Sequence, residues 1–87
     1  MYFVYVLRNP EGRLYIGFTS DLERRVLQHQ RGEGGWTRLR GPWKVVFTEK
    51  YAARPQAMRR EKFLKSGQGR AFIKGILATR AGPPQAD

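Results

Sequence analysis

The stretch VYVLRNPEGRLYIGFT, residues 4–19, decides how the rest of the chain must fold. Two runs of β-branched and aromatic residues flank Asn9-Pro10-Glu11-Gly12, which predicts strands over residues 2–7 and 13–19 joined by a tight turn. Pro10 suits the first central position of a type I turn, and Gly12 suits the left-handed residue that follows it. Such a three-residue loop sets the register: Asn9 faces Arg13, Leu7 faces Tyr15 and Tyr5 faces Gly17. Cross-strand partners share a face of the sheet. Tyr5 and Tyr15 therefore fall on one face as diagonal neighbours, with Gly17 leaving space beside Tyr5. A two- or four-residue loop would put the two tyrosines on opposite faces.

Downstream of this hairpin, Ser20-Asp21-Leu22-Glu23 reads as a capping box, with Ser20 as the cap. The helix it opens should run to about Arg31 and stop at Gly32. At about 100° per residue, Leu22, Val26 and His29 lie within roughly 60° of one another. Arg25 flanks that stripe, whereas Arg24 points nearly the opposite way. Arg25 and His29 should thus lean toward the body of the protein and Arg24 toward solvent.

Residues 32–42 form a Gly-rich basic loop carrying Trp36. WKVVFTEKY, residues 43–51, reads as a third strand, central or at least well covered, with Trp43, Val45, Phe47 and Glu49 of one parity. Arg54-Pro55 opens a helix to about Ser66 that Gly67 should end. A last helix over about 69–79 carries the apolar stripe Phe72, Ile73, Ile76 and Leu77. The fold class expected is α+β, sandwich-like: a small, mainly antiparallel three-stranded sheet flanked by helices, in the order β-β-α-β-α-α. Residues 1–80 make one domain, and residues 81–87 a disordered tail.

Composition narrows the function. The 87 residues contain 17 Lys and Arg against 7 acids, a formal charge of +10. At this size such an excess points to a polyanionic partner, foremost nucleic acid. Cysteine is absent, which removes disulfides, thiolate metal sites and a cysteine nucleophile together. No apolar run is long enough to span a membrane, and no leader-like segment opens the chain. A cytoplasmic protein follows as the simplest expectation.

The acid inventory is short. Glu11 sits in a turn, Asp21 and Glu23 at a helix start, Glu33 in a loop and Asp87 at the end. Glu61 falls between Ala57, Met58 and Leu64 on the apolar face of its helix. A carboxylate there is costly unless it is paired, for example with an inward arginine, or holds a cation. Glu49 is the second choice. A two-metal site is hard to build from so few acids, but one Mg²⁺ on one carboxylate, completed by waters and substrate phosphate, is feasible. Taken singly, the tyrosines read as sheet aromatics, Arg25 as an ion-pair residue and His29 as a hydrogen-bonded interior histidine.

Together they carry a resemblance. Val4-Tyr5-Val6, then Tyr15-Ile16-Gly17, Arg25, His29 and Glu61 resemble the GIY-YIG nuclease superfamily over about residues 2–75. TSDLERRVLQH, GPWKVVF and REKFLKSGQGR are similar to its small stand-alone bacterial branch, related to the catalytic part of structure-specific endonucleases. The first tripeptide departs from the family's name, and no Asn follows Asn9, where some members carry a late one.

The resemblance implies phosphodiester hydrolysis with one divalent ion, Mg²⁺ or Mn²⁺. It implies that Glu61 holds the metal, that Arg25 clamps the scissile phosphate, and that Tyr5 or Tyr15 activates water, with His29 relaying a proton or bonding a tyrosine. Ionising a tyrosine of ordinary pKa at neutral pH costs about 4 kcal/mol. Arg38, Arg40, Lys44, Lys62, Lys65 and Arg70, with Arg59, Arg60 and Lys74, would track the nucleic-acid backbone, and Trp36 would stack on an unpaired base. The expected partner is DNA rather than RNA, branched or flapped, at the nucleoid, together with a protein that supplies specificity. The competing readings are a non-catalytic nucleic-acid-binding module and a basic subunit of a larger repair complex.

Overall fold

The computed structural model describes residues 1–33, 35 and 37–81, with side chains as far as Thr79. The expectations for Trp36 and for the tail beyond Ala81 lie outside the described residues. The elements are β1 (Tyr2–Arg8), β2 (Leu14–Thr19), α1 (Leu22–Gln30), β3 (Lys44–Tyr51), α2 (Arg54–Lys65) and α3 (Gly67–Ala81). Three antiparallel strands in the order β2-β1-β3 form the sheet. The α+β class and the β-β-α-β-α-α order are those expected.

The hairpin forms as its turn chemistry dictates. Gly12 N–H donates to the Asn9 carbonyl at 2.9 Å, and Asn9 N–H to the Arg13 carbonyl at 3.0 Å. Gly12 takes φ 85°, a conformation glycine adopts without steric cost. The Asn9 side-chain oxygen accepts from the N–H groups of Glu11 (3.1 Å) and Arg13 (2.8 Å). The strands pair Leu7 with Tyr15 and Tyr5 with Gly17, the register expected from the loop length.

The third strand is not central. The central strand is β1, whose Val4, Tyr5, Val6 and Leu7 are all buried because both faces of the sheet are covered there. β3 is an edge strand with exposed Lys44 and Lys50, charges that blunt an open edge. Its expected parity also fails. Val6 pairs with Phe47, but Leu7 pairs with Val45, so a bulge at Val46 switches the face of everything before it. Phe47 joins Val4, Val6, Ile16, Ala57, Leu64 and Ile73 under α2 and α3, whereas Trp43 joins Tyr5 and Leu7 on the α1 side. The even-numbered residues of the hairpin thus face α2 and α3, and the odd-numbered ones face α1.

Two helix boundaries differ from expectation. Asp21, not Ser20, caps α1, its carboxylate accepting from Arg24 N–H at 3.2 Å while Thr19 Oγ1 accepts from Asp21 N–H at 3.1 Å. A carboxylate at a helix N-terminus also gains from the helix dipole, which a serine hydroxyl does not. Gly67 begins α3 instead of closing off α2 at a distance from it. Ser66 ends α2 and at the same time accepts from Gly69 N–H through its hydroxyl at 3.2 Å, which starts the next helix at once. Within the expected stripes, Met58 and Phe72 are 43% and 41% exposed, so Ala57, Leu64 and Ile73 carry the packing instead.

The inward arginine expected near Glu61 pairs elsewhere. Arg60 grips Glu49 with Nε at 2.9 Å and Nη2 at 3.1 Å, and lies over the rings of Phe63 and Phe72. Tyr51 donates its hydroxyl to the same carboxylate at 2.8 Å. This assembly ties β3 to α2 and α3, so Glu49 and Arg60 serve the fold.

Candidate active site

The site is built on the α1 face of the sheet. The hairpin register puts Tyr5 and Tyr15 side by side there, their ring centroids 6.2 Å apart. A Cβ on Gly17 would lie 2.7 Å from the Tyr5 hydroxyl and 3.2 Å from the Tyr15 ring. Only glycine lets the Tyr5 ring lie across β2 in this way. α1 then crosses this face with Leu22 and Val26 packed on the tyrosine cluster. Its i, i+4 pair Arg25 and His29 is turned inward, while Arg24 is exposed, as the helical periodicity predicts.

His29 is 2% exposed and lies between two hydroxyls. Its Nε2 is 2.9 Å from the Tyr5 hydroxyl, and its Nδ1 is 2.6 Å from Thr37 Oγ1. The Tyr15 ring lies 4.7 Å from the imidazole, centroid to centroid. Arg25 donates through Nη1 to Gln28 Oε1 at 2.9 Å, and its guanidinium is electrostatically coupled to the phenols of both Tyr5 and Tyr15. One chain of hydrogen bonds joins these groups: neutral His29 bonds Tyr5 through Nε2 and Thr37 through Nδ1, one ring nitrogen donating and the other accepting.

Electrostatics follow from this burial. His29 is pushed down to about 4, by burial first and then by the Arg25 charge, so it is neutral at physiological pH. The Tyr5 phenol is pushed up to about 12, chiefly by burial. The Arg25 hydrogen bond opposes that shift, while the fields of Tyr15 and Glu61 add to it. Burial works against the Arg25 charge, but its bonds and attraction to the two phenols outweigh this and hold the guanidinium above its usual value.

Glu61 belongs to α2, which packs on the other face, yet its charge is felt at Tyr5. Its side chain is 20% exposed and pairs with Lys65 at 3.1 Å, one helical turn on. Among the described residues no group of three or more His, Asp or Glu gathers. Arg38, Arg40, Lys44, Lys62, Lys65 and Arg70 are all exposed, spread over the loop before β3, the start of β3, α2 and α3. They do not form one cluster with the tyrosines.

Thr37 escaped the sequence reading. It is 1% exposed, bonds His29 through its side chain, and accepts from Trp43 Nε1 at its carbonyl at 3.0 Å. The signal available was a lone threonine in an otherwise Gly- and Arg-rich loop, which does not reveal a partner eight residues back. Gln30 fastens the end of α1 to Trp43, accepting from its N–H at 2.8 Å and donating to its carbonyl. The Asn9 amide donates to the Arg40 carbonyl at 3.0 Å, which ties the loop to the hairpin.

Comparison with known proteins shows the family of the chain. The model of the GIY-YIG catalytic domain matches residues 1–73. A UPF0213 protein of Natronomonas pharaonis is 44% identical over 82 residues, 93% of this chain and 95% of its own length. One from Cronobacter sakazakii is 39% identical over 84 residues, covering 92% and 88%. The solution structure of a UPF0213 protein from Bacillus halodurans superposes with a TM-score of 0.52 at 35% identity, covering 97% of this chain and 89% of that one. Enzymes with this domain are usually endonucleases that act on nucleic acid with a divalent metal. No helix among the described residues is long and apolar enough to cross a membrane. The chain belongs to the GIY-YIG family, has its nuclease-type fold, and falls within the UPF0213 group of small proteins.

Proposed function

We propose that the protein is a metal-dependent endonuclease that hydrolyses phosphodiester bonds of DNA, with branched or flapped duplexes as its substrates and DNA repair at the nucleoid as its setting. The observation that carries this reading is the inward-turned Arg25 guanidinium beside the paired tyrosines Tyr5 and Tyr15, whose phenols interact with its charge. A planar cation with several donors, held on a tyrosine face and only half buried, suits a non-bridging phosphate oxygen and the charge that grows on it.

Burial separates the two tyrosines. Tyr5 is 1% exposed, and ionising it at pH 7 would cost about 7 kcal/mol from a pKa of about 12. Tyr5 stays protonated, bonds His29 and steers Arg25. Tyr15 is half-buried, reaches the open side of the site and orients the attacking water. His29, neutral and fixed by Thr37, holds the Tyr5 hydroxyl in place.

Glu61 fits one hard divalent ion, Mg²⁺ or Mn²⁺. It is a partly exposed carboxylate whose charge is felt at Tyr5, and its lysine partner is 51% exposed and free to swing away. A divalent ion bound there would neutralise charge on the phosphate oxygens. The Glu61–Lys65 pair also favours a second reading, a nucleic-acid-binding module whose carboxylate only stabilises a helix, acting within a larger complex that supplies specificity.

Cleavage of labelled duplex, flapped and four-way-junction DNA with Mg²⁺ by wild type and by Glu61→Gln separates the two. The nuclease reading requires cleavage by wild type and its loss, with binding retained, in the variant. Equal cleavage by both, or binding without cleavage in either, sinks it.

A further inference from the structure

A prominent cavity lies away from the tyrosine site. It is a cleft of about 580 Å³ between the turn end of the β1–β2 hairpin and α3. Arg8 and Arg13 line one wall and Arg70 and Lys74 the other, over Leu14 and Leu77. Among the described residues no carboxylate lines it. Leu14 and Leu77 belong to the core packed under α2 and α3, so the cleft opens on the sheet face opposite to Tyr5 and Tyr15.

Four cations converging from two separate elements repel one another. Folding does not require that arrangement, since all four side chains are exposed. Among the described residues, two of the four carry a bond that a fold could use. Arg13 meets Glu11 at 3.5 Å, in a pair whose members are 60% and 75% exposed and which is therefore worth little. Arg70 Nε donates to the Lys65 carbonyl at 3.3 Å. A row of anionic oxygens would relieve the repulsion. The cleft's basic walls and apolar floor suit the sugar–phosphate backbone, whose phosphates can meet both walls while sugar carbons rest on the leucines.

We propose that this cleft is a second phosphate-binding site, which holds nucleic-acid backbone away from the position of cleavage. The proposal deepens the nucleic-acid reading above and does not depend on the chain being a nuclease. Its position behind the sheet means that the strand held at Arg25 and the backbone held in the cleft approach from different sides, a geometry that a branched substrate offers. Arg8 and Arg13 join Arg70 and Lys74 as binding residues through this placement.

The test is binding alone, in EDTA, where cleavage cannot contribute. Full-length wild type, Arg70→Gln/Lys74→Gln and Arg8→Gln/Arg13→Gln are titrated against fluorescent duplex and flapped DNA between about 50 and 200 mM salt. Arg24→Ala/Lys50→Ala, which removes the same charge far from the cleft, serves as control. Each wall variant should lower the slope of log K against log salt by about 1.8, two phosphates' worth at ~0.9 each. The control should leave the slope within error of wild type. Agreement between the two walls guards against misfolding of either variant. Parallel titrations with RNA show which polymer supplies the phosphates, and loss of slope with either one supports the site. An unchanged slope in both wall variants, an equal loss in the control, or no binding of either polymer by wild type overturns the proposal. Glu61→Gln cleavage assays are read separately, so failure of the nuclease reading leaves this result intact.

Discussion

Tyr5 and His29, separated by 24 residues, meet in a buried hydrogen bond of 2.9 Å between the phenol and Nε2. Through it the central strand and the end of α1 share one hydrogen-bonded chain that also takes in Thr37. Cutting that chain at Tyr5 should cost stability and activity together. Tyr5→Phe leaves Nε2 buried without that partner and is expected to lose about 1–3 kcal/mol in urea unfolding. Tyr15→Phe, at a half-buried position, should cost less stability but as much cleavage. Equal stability losses in the two variants would contradict the division of labour drawn here.

Acid should unfold the protein through His29. Its pKa is about 4 when folded and 6.5 when unfolded, so below 6.5 the unfolded chain binds the extra proton. Stability is full above pH 6.5 and falls as pH drops toward 4, by about 3 kcal/mol at most. Chemical denaturation from pH 7.5 down to 4 should show that decline in wild type. His29→Gln should be less stable at neutral pH but nearly flat across the same window.

Gly17→Ala would place a methyl carbon 2.7 Å from the Tyr5 hydroxyl and 2.9 Å from its Cζ. The ring has nowhere to retreat, because Tyr5 is buried and bonded on its far side. We expect a loss of about 1–3 kcal/mol and displacement of Arg25, read as weaker cleavage even at temperatures where the variant is folded. A fully active, fully stable variant would falsify the packing described.

Arg60→Ala should destabilise without touching the tyrosine site. It strands Glu49 with Tyr51 as its remaining hydrogen-bond partner and uncovers Phe63 and Phe72. The expected cost is about 2 kcal/mol, and the pH window set by His29 should be unchanged.

Leu39 is the opposite case. It takes φ 65° and is 92% exposed, so its side chain gives the fold almost no packing while its Cβ strains the backbone. Leu39→Gly should therefore be neutral to stabilising, by about 0.5–1 kcal/mol in the same unfolding assay, where most loop substitutions would be neutral or worse.

The sequence alone carried what depends on near neighbours. The Asn9-Pro10-Glu11-Gly12 turn fixed its own length, the length fixed the register, and the register put Tyr5, Tyr15 and Gly17 together. Helical periodicity turned Arg25 and His29 toward them. These relations are local in the chain, or one hairpin long, and the pleat and the helix repeat leave little choice. Tertiary structure decided the rest. Whether β3 lies at the centre or the edge depends on which side of β1 it joins, and the bulge at Val46 depends on fitting Phe47 and Trp43 to opposite faces. Thr37 reaches His29, Arg60 chooses Glu49 over Glu61, and Arg8 and Arg13 come to face Arg70 and Lys74 only once distant segments pack. Such choices are made by burial and pairing between elements whose order in the chain does not fix their distance in space.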